Sequence, residues 1–305
     1  MSNQGRKILV TGATGTVGSE VVRQLASMSS SSDRNIRAAV HSKNKADMLK
    51  QFELEGIETV DLDYAKPDTI VSALNNVDKL FLQTLPVPDV TDICSNIVKE
   101  AKKNGVKFVV KLSALGADSD LGSTILQLHG KEEKIIKESG IPYTFLRPSA
   151  LMQNFVTQVG HTIRTKNAFY LPAGDAKMSF VDTKDIAAIA ASILTNSNNG
   201  CGSKQHKNRA YDITGQNALS YSQVADILSS EVGKKISYID LTEDQARNGL
   251  KQGGMDDWFV DIMIELFRII RAGYGSIATT TVEQVTGRKP ILFSQFARDY
   301  AGGLR

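Results

Sequence analysis

Cysteine is scarce. Cys94 and Cys201 are the two in 305 residues, too few for a disulfide framework or a thiolate metal cluster. A reducing compartment is the default, so a cytoplasmic location, with the nucleus as a second possibility, and no metal are expected. Charge of one sign is also lacking: 36 basic against 33 acidic residues leave a formal net charge of +3. That excess is too small for a nucleic-acid surface, and no basic recognition helix stands out, so direct nucleic-acid binding is not expected. Long hydrophobic runs are missing. The polar start, Met1 to Lys7, leads into an apolar run of only a few residues, which reads as neither a signal peptide nor a membrane span. No internal repeat is visible. The hydrophobic content, 41%, still suffices for a large core in one large domain or two fused ones.

What is present is concentrated at the front. The run Ile8-Leu9-Val10-Thr11 enters Gly12-Ala13-Thr14-Gly15-Thr16-Val17-Gly18 and then a helical stretch. Three glycines spaced in this way between a strand and a helix read as a dinucleotide-binding turn. Gly12 allows the sharp reversal, Gly15 leaves room for phosphate, and Gly18 allows close packing of helix on sheet. The helix's first amides and its positive dipole end face the anion. The competing reading is a purely structural turn.

The first half alternates β-rich runs (Ile8–Thr11, Ile36–Val40, Thr59–Asp61, Lys79–Gln83, Lys107–Leu112, Tyr143–Leu146) with helical patterns near Val17–Met28, Ala46–Glu53, Lys66–Leu74, Thr91–Lys103 and Gly130–Ser139. This predicts an α/β fold, a Rossmann-type doubly wound parallel sheet. Two polar loops interrupt it, the serine-rich Ser27–Asn35 and Asn196–Arg209, the latter before a strand at Ala210–Thr214. Later, Ser220 to Val232 predicts a helix with Ser220 as N-cap and Gln223 completing a capping box. A strand follows at Ile236–Leu241. Asp256 to Arg271 carries Phe259, Ile262, Met263, Leu266, Phe267 and Ile270 at helical spacing. Core packing is the expectation for that stripe, with the wall of an apolar cleft or a partner surface as alternatives.

The end of the second strand discriminates between dinucleotides. An acidic residue there binds the free ribose hydroxyls and disfavours a 2′-phosphate. The strand ends Ala38-Ala39-Val40 and continues His41-Ser42-Lys43-Asn44-Lys45, with no carboxylate at its tip. His41, Ser42, Lys43 and Lys45 offer donors to a phosphate. NADP(H) is expected, NAD(H) less so. Asp61 and Leu62 are assigned to the adenine, and Gln83 and Thr84, at the end of the fourth strand, to the cofactor.

Several segments together resemble the NmrA-like proteins, an atypical branch of the short-chain dehydrogenase/reductase superfamily. They are the Val10–Gly18 turn, Leu112-Ser113-Ala114-Leu115-Gly116-Ala117, Ser139-Gly140-Ile141-Pro142-Tyr143-Thr144-Phe145-Leu146-Arg147-Pro148, Gln153-Asn154-Phe155 and Phe180-Val181-Asp182-Thr183-Lys184-Asp185-Ile186-Ala187. The resemblance implies a Rossmann domain over residues 1–150, also receiving segments from about 178–216, and a smaller, mainly helical α+β C-terminal substrate or partner domain over 151–305. It implies NADP(H) in the cleft, with Thr14, Thr16 and Val17 of the turn, Ser113, Ala114, His129, Pro148, Ser149 and Asn154 among its contacts. Some relatives reduce quinones or azo and triphenylmethane dyes. Others bind dinucleotide without turnover and regulate partners as redox or nitrogen sensors.

One more absence matters. Short-chain dehydrogenases use a tyrosine with a lysine four residues on, and none of the eight tyrosines has one. His129 stands in the tyrosine-like slot and Glu133 in the lysine-like slot. His129 is the candidate catalytic group, with cofactor contact and a structural role as its alternatives. Lys131 and Glu133 read as helix surface, and Arg147 as half of a structural pair. The missing pair favours a dinucleotide- or redox-responsive regulator. The alternative is an NADPH-dependent reductase of quinone-like or other small apolar electrophiles, for which the cofactor carries the chemistry.

Overall fold

The structure, a computed structural model, describes residues 7–28, 35–41, 50, 52, 55–195 and 205–305. In chain order its elements are β1 (Lys7–Val10), α1 (Gly18–Met28), β2 (Ile36–Val40), β3 (Glu58–Asp61), α2 (Pro67–Leu74), β4 (Val77–Leu82), α3 (Val90–Lys103), β5 (Phe108–Leu112), α4 (Thr124–Ser139) and β6 (Tyr143–Pro148). Then come α5 (Asn154–Thr157), α6 (Gly160–Lys166), β7 (Ala168–Leu171), β8 (Lys177–Met178), α7 (Thr183–Thr195), β9 (Arg209–Ile213), β10 (Leu219–Ser220), α8 (Tyr221–Val232), β11 (Ser237–Asp240), α9 (Glu243–Gln252) and α10 (Asp257–Arg271). A 3-10 turn at Tyr274–Ser276 and the short helices α11 (Thr281–Thr286), α12 (Phe293–Asp299) and α13 (Ala301–Leu304) finish the chain. The predicted helix Ala46–Glu53, the middle of the serine-rich loop and most of the Asn196–Arg209 loop lie largely outside the described residues.

Seven strands form one sheet in the order β3-β2-β1-β4-β5-β6-β9. The register from β3 to β6 is parallel throughout, with Ile8 beside Ile36 and Lys79, Val40 beside Asp61, and Val110 beside Phe81 and Thr144. The sequence explains this. The central strands are mostly apolar and largely buried, as helix-covered parallel strands must be, with Arg37, Lys79 and Lys111 as buried charged exceptions, and β2 is buried along its full length. The order reverses between β1 and β4, the switch point where ligands bind beyond the carboxyl ends of the strands in such sheets.

The chain divides into two compact units. The first comprises Met1–Ser113, Leu128–Arg147 and Ile186–Tyr211; the second comprises Ala114–Gln127, Pro148–Asp185 and Asp212–Arg305. In the first, Leu9, Leu80, Val109, Cys94, Ile97 and Phe145 belong to the principal core cluster. Buried Lys79 donates to the Leu194 carbonyl at the end of α7, a cation at a helix's negative end. In the second, Phe155, Phe169, Phe180, Tyr221, Leu228 and Phe296 build a separate core. The α8 capping box is as predicted: Ser220 Oγ accepts from the Gln223 amide at 3.1 Å and Gln223 Oε1 from the Ser220 amide at 2.9 Å. Among the described residues no helix is long and apolar enough to cross a membrane.

The helix predicted from Gly130 begins earlier, at Thr124. The Thr124 amide donates to Glu265 Oε2 at 2.8 Å. A carboxylate from α10 thus serves the first turn of α4, where an anion is favoured.

Candidate functional site

The chain leaves β1 at Val10 and reverses through the glycine turn into α1. Gly12 takes φ +62°, a left-handed value that favours glycine. A Cβ on Gly18 would lie 2.1 Å from the Gly12 carbonyl oxygen. Gly18 therefore lets the helix begin against the turn's own backbone, a tighter constraint than packing on the sheet. Thr11 Oγ1 donates to the Gln83 carbonyl at 2.9 Å and accepts from the Gln83 amide at 2.8 Å, fastening β1 to β4 at the switch point. The Gln83 carboxamide lies beside the turn, its Cδ 3.0 Å from where a Gly12 Cβ would stand. Its Oε1 is buried without a hydrogen-bond partner among the described residues. No described residue accepts a hydrogen bond from the Thr16, Val17 or Gly18 amides. Free amide donors beside an orphan acceptor fit a ligand that carries both phosphate oxygens and hydroxyl groups.

At the neighbouring strand tips the structure adds what sequence order concealed. The tip of β2 has no acid of its own, but the register sets exposed Asp61 beside Val40. Asp63 Oδ1 lies 4.0 Å from exposed His41 Nδ1, and Asp63 Oδ2 is 3.0 Å from Lys66 Nζ. Lys66 holds the Asp63 carboxyl below its usual range. Leu62 is buried in the core, so its side chain packs inside the first unit, and the apolar adenine contact expected of it is not at the surface. Ser42, Lys43 and Lys45 lie outside the described residues.

The ends of β4, β5 and β6 converge on two consecutive glutamates of α4. Lys111, wholly buried, reaches Glu132 Oε2 at 3.1 Å, Thr84 Oγ1 at 3.1 Å and the Leu112 carbonyl at 2.7 Å. Thr84 Oγ1 in turn donates to Glu132 Oε1 at 2.7 Å. Glu133 accepts from Ser113 Oγ at 2.7 Å, Arg147 Nε at 2.8 Å and an Arg147 terminal nitrogen at 2.6 Å. Glu133 was expected at the helix surface; it is 2% exposed, because Arg147 and Ser113 arrive from strands to complete its hydrogen bonds. Lys131 is exposed, as expected. Ser113's hydroxyl is committed to Glu133.

His129, one turn earlier on α4, sets Nδ1 3.3 Å from Glu132 Oε2, off the line of a hydrogen bond. Burial pushes the imidazole below its usual range, Glu132 opposes that, and Lys111 adds to it. The net direction favours the neutral form of the ring. Burial pushes the Glu132 carboxyl up, but Lys111, His129 and Thr84 outweigh it and leave it below the usual carboxylate range.

Ala114, Pro148, Ser149 and Asn154 belong to the second unit. Ser149 is fixed structurally: its amide donates to the Ile213 carbonyl at 2.9 Å and its hydroxyl to the Ser179 carbonyl. Asn154 lines an apolar cavity of about 170 Å³ within this unit. The α10 stripe divides. Ile262 and Ile270 are buried, while Met263, Leu266, Phe267 and Ile270 line the cavity. Neither core packing nor a cleft wall describes the whole stripe.

Residues 4–289 match the NmrA-like family. This chain belongs to the NmrA-like family. It is 36% identical over 294 residues to the NAD(P)H azoreductase of Xenophilus azovorans, spanning 96% of this chain and 98% of the relative. The crystal structure of the NADPH-dependent quinone oxidoreductase of Escherichia coli, complexed with NADPH, superposes with a TM-score of 0.82 at 26% identity, over 96% of this chain and 99% of the other. NmrA, a negative transcriptional regulator solved with NAD, shares 13% identity and a TM-score of 0.75 over 97% and 96% of the two chains, a likeness of fold alone. Among these NmrA-like relatives the reductases stand nearer than the regulator.

Sequence reasoning on this NmrA-like chain read Arg147 as half of a structural pair, as it is, but missed Glu133 as the other half and missed the Lys111–Glu132 pair altogether. A signal was present: a lysine between Val110 and Leu112, in a strand apolar enough to be central, must find a carboxylate inside. Tyr221, another cavity residue, gave no sequence signal beyond the start of a helix.

Proposed function

We propose that this protein is an NADPH-dependent reductase of quinone-like or azo electrophiles, with the cofactor in the first unit and the acceptor in the second. The extent of the likeness to the azoreductase carries this reading, since it runs through both units. When bound, the cofactor supplies a hydride. Overall, NADPH, a proton from solvent and a quinone give NADP⁺ and the hydroquinone.

The chain's own residues bind, orient and support. The amides at the start of α1, with Gly12, Thr14, Gly15, Thr16 and Val17 around them, receive the pyrophosphate, and Gln83 Oε1 accepts from a cofactor hydroxyl. His41, Ser42, Lys43 and Lys45 receive the 2′-phosphate, with exposed Asp61 nearby at the adenine end. Thr84 and Ser113 are positioning residues, since their hydroxyls anchor Glu132 and Glu133 and so fix the strand ends. Ala114, Pro148 and Ser149 shape the backbone on the nicotinamide side, and Asn154 presents its carboxamide there. His129, whose Nδ1 has no hydrogen-bond partner among the described residues, offers a ring nitrogen to the cofactor.

A dinucleotide-responsive regulator would need the same cofactor site, so binding alone does not separate the two readings. Nicotinamide absorbance followed with benzoquinones and azo dyes does. Turnover well above the uncatalysed rate, reduced by Asn154→Ala, supports the reductase. Tight NADPH binding with no turnover on any acceptor favours the regulator.

A further inference from the structure

The buried cluster at the carboxyl ends of β4 and β5 holds one negative charge in a fixed place. Lys111 donates to Thr84 Oγ1 at 3.1 Å and to the Leu112 carbonyl at 2.7 Å, and it pairs with Glu132 Oε2 at 3.1 Å. Thr84 then donates to Glu132 Oε1 at 2.7 Å. Both carboxylate oxygens are engaged from strand ends, and Glu132 is 1% exposed. An ammonium at this distance keeps the buried carboxylate ionised. The oxygen that meets Lys111 also faces His129 Nδ1, at 3.3 Å.

The two ring nitrogens of His129 stand in different surroundings. Nδ1 is buried, and no described residue forms a hydrogen bond with it. The side chain as a whole is 24% exposed. Nε2 also lacks a hydrogen-bond partner among the described residues but is not buried, so the open edge of the ring includes Nε2.

A neutral imidazole carries one proton, and its neighbours decide which nitrogen holds it. A bare Nδ1 would set its lone pair against a carboxylate anion at 3.3 Å. An N–H there is attracted by the same charge, because charge–dipole attraction survives angles at which a hydrogen bond is lost. Contact with an ionised group is worth roughly a tenfold preference or more.

We infer that Glu132 is a positioning residue for His129: it holds the ring proton on Nδ1 and leaves Nε2 bare at the open edge, as an acceptor for a hydroxyl of the bound dinucleotide. To that ligand the neutral ring offers a lone pair and not a proton. Lys111 and Thr84 act one step further back, by fixing the carboxylate. Glu132 orients the ring with or without a ligand; what Nε2 accepts from rests on the proposed cofactor site.

The test is heteronuclear NMR of the full chain with isotopically labelled histidine, at mildly alkaline pH, where protonated and bare ring nitrogens give separate shifts. His129→Gln identifies the signals by their loss. The proton is expected on Nδ1 in roughly tenfold excess or more, and Glu132→Gln should cut that excess several-fold. On addition of NADPH the Nε2 signal should move upfield as it accepts a hydrogen bond, with the proton still on Nδ1. Should Glu132→Gln fail to fold, the wild-type spectrum still decides. A proton on Nε2 in the free protein, a ratio indifferent to Glu132→Gln, or an Nε2 signal unmoved by NADPH whose fluorescence shows it bound, would overturn the inference. The expected shifts with no NADPH oxidation by any acceptor would refute the reductase reading and leave the role of Glu132 intact.

Discussion

Arg147 and Glu133 form a buried two-point ion pair, with the Arg147 Nε 2.8 Å and a terminal nitrogen 2.6 Å from opposite oxygens of the carboxylate. The pair joins the end of β6 to α4, and Ser113 joins β5 to it through the same carboxylate.

Breaking that pair on one side strands a buried charge. Arg147→Ala should cost about 3–5 kcal/mol of stability, measured by denaturant unfolding. The double replacement Arg147→Met with Glu133→Leu should cost less than Arg147→Ala alone, because no unpaired charge stays inside. A double variant as unstable as the single one would show that the pair's geometry, rather than its charge balance, holds this region.

Stability should fall as pH drops below neutrality, in two stages with different owners. His129 is depressed below 6.5 in the fold, so the unfolded chain binds the proton first. The contribution of neutral His129 is present above pH 6.5 and is lost as pH falls toward its folded value. Glu132 is depressed below 4.5, and its contribution is present above that pH and lost as pH falls through its folded value. In unfolding curves collected across pH, His129→Gln should flatten the first stage and Glu132→Gln the second. A His129→Gln profile parallel to wild type would show that the imidazole does not titrate as its burial requires.

Much of this was legible in order along the chain. The glycine turn, the β2 boundaries and the α8 capping box depend on residues within a few positions of one another, where propensity and hydrogen-bond geometry act locally. What stayed hidden depends on partners far away in sequence. Glu133 reads as helix surface until Arg147 and Ser113 come beside it. The start of α4 cannot be placed without Glu265, 141 residues on. Asp61 reaches the β2 tip only through strand register. The α10 stripe has one period but two environments, which depend on what α5 and α8 place opposite it.

Gly18→Ala should be among the more damaging single changes to cofactor binding. Its Cβ meets backbone at 2.1 Å, so the turn or the helix must move, at about 1–3 kcal/mol for an overpacked contact. Fluorescence titration with NADPH should show affinity reduced about tenfold or more at that scale. Unchanged affinity would mean that the α1 amides do not hold the pyrophosphate.

Cofactor preference should reside at the β2 tip. Replacing His41, Lys43 and Lys45 together by alanine should lower the ratio of NADPH to NADH affinity by about tenfold to a hundredfold, the scale of lost charge-assisted bonds to phosphate. NADH affinity itself should change little. An unaltered ratio would move the 2′-phosphate site elsewhere.

The most direct measurement of the central claim is a single turnover. The protein, loaded with one equivalent of NADPH and freed of excess, is mixed with 1,4-benzoquinone, and nicotinamide absorbance and hydroquinone are followed together. The reductase account predicts one hydroquinone formed per NADPH oxidised, faster than the same reagents react without protein. NADPH that stays bound and unoxidised, or is oxidised no faster than in buffer, would contradict it.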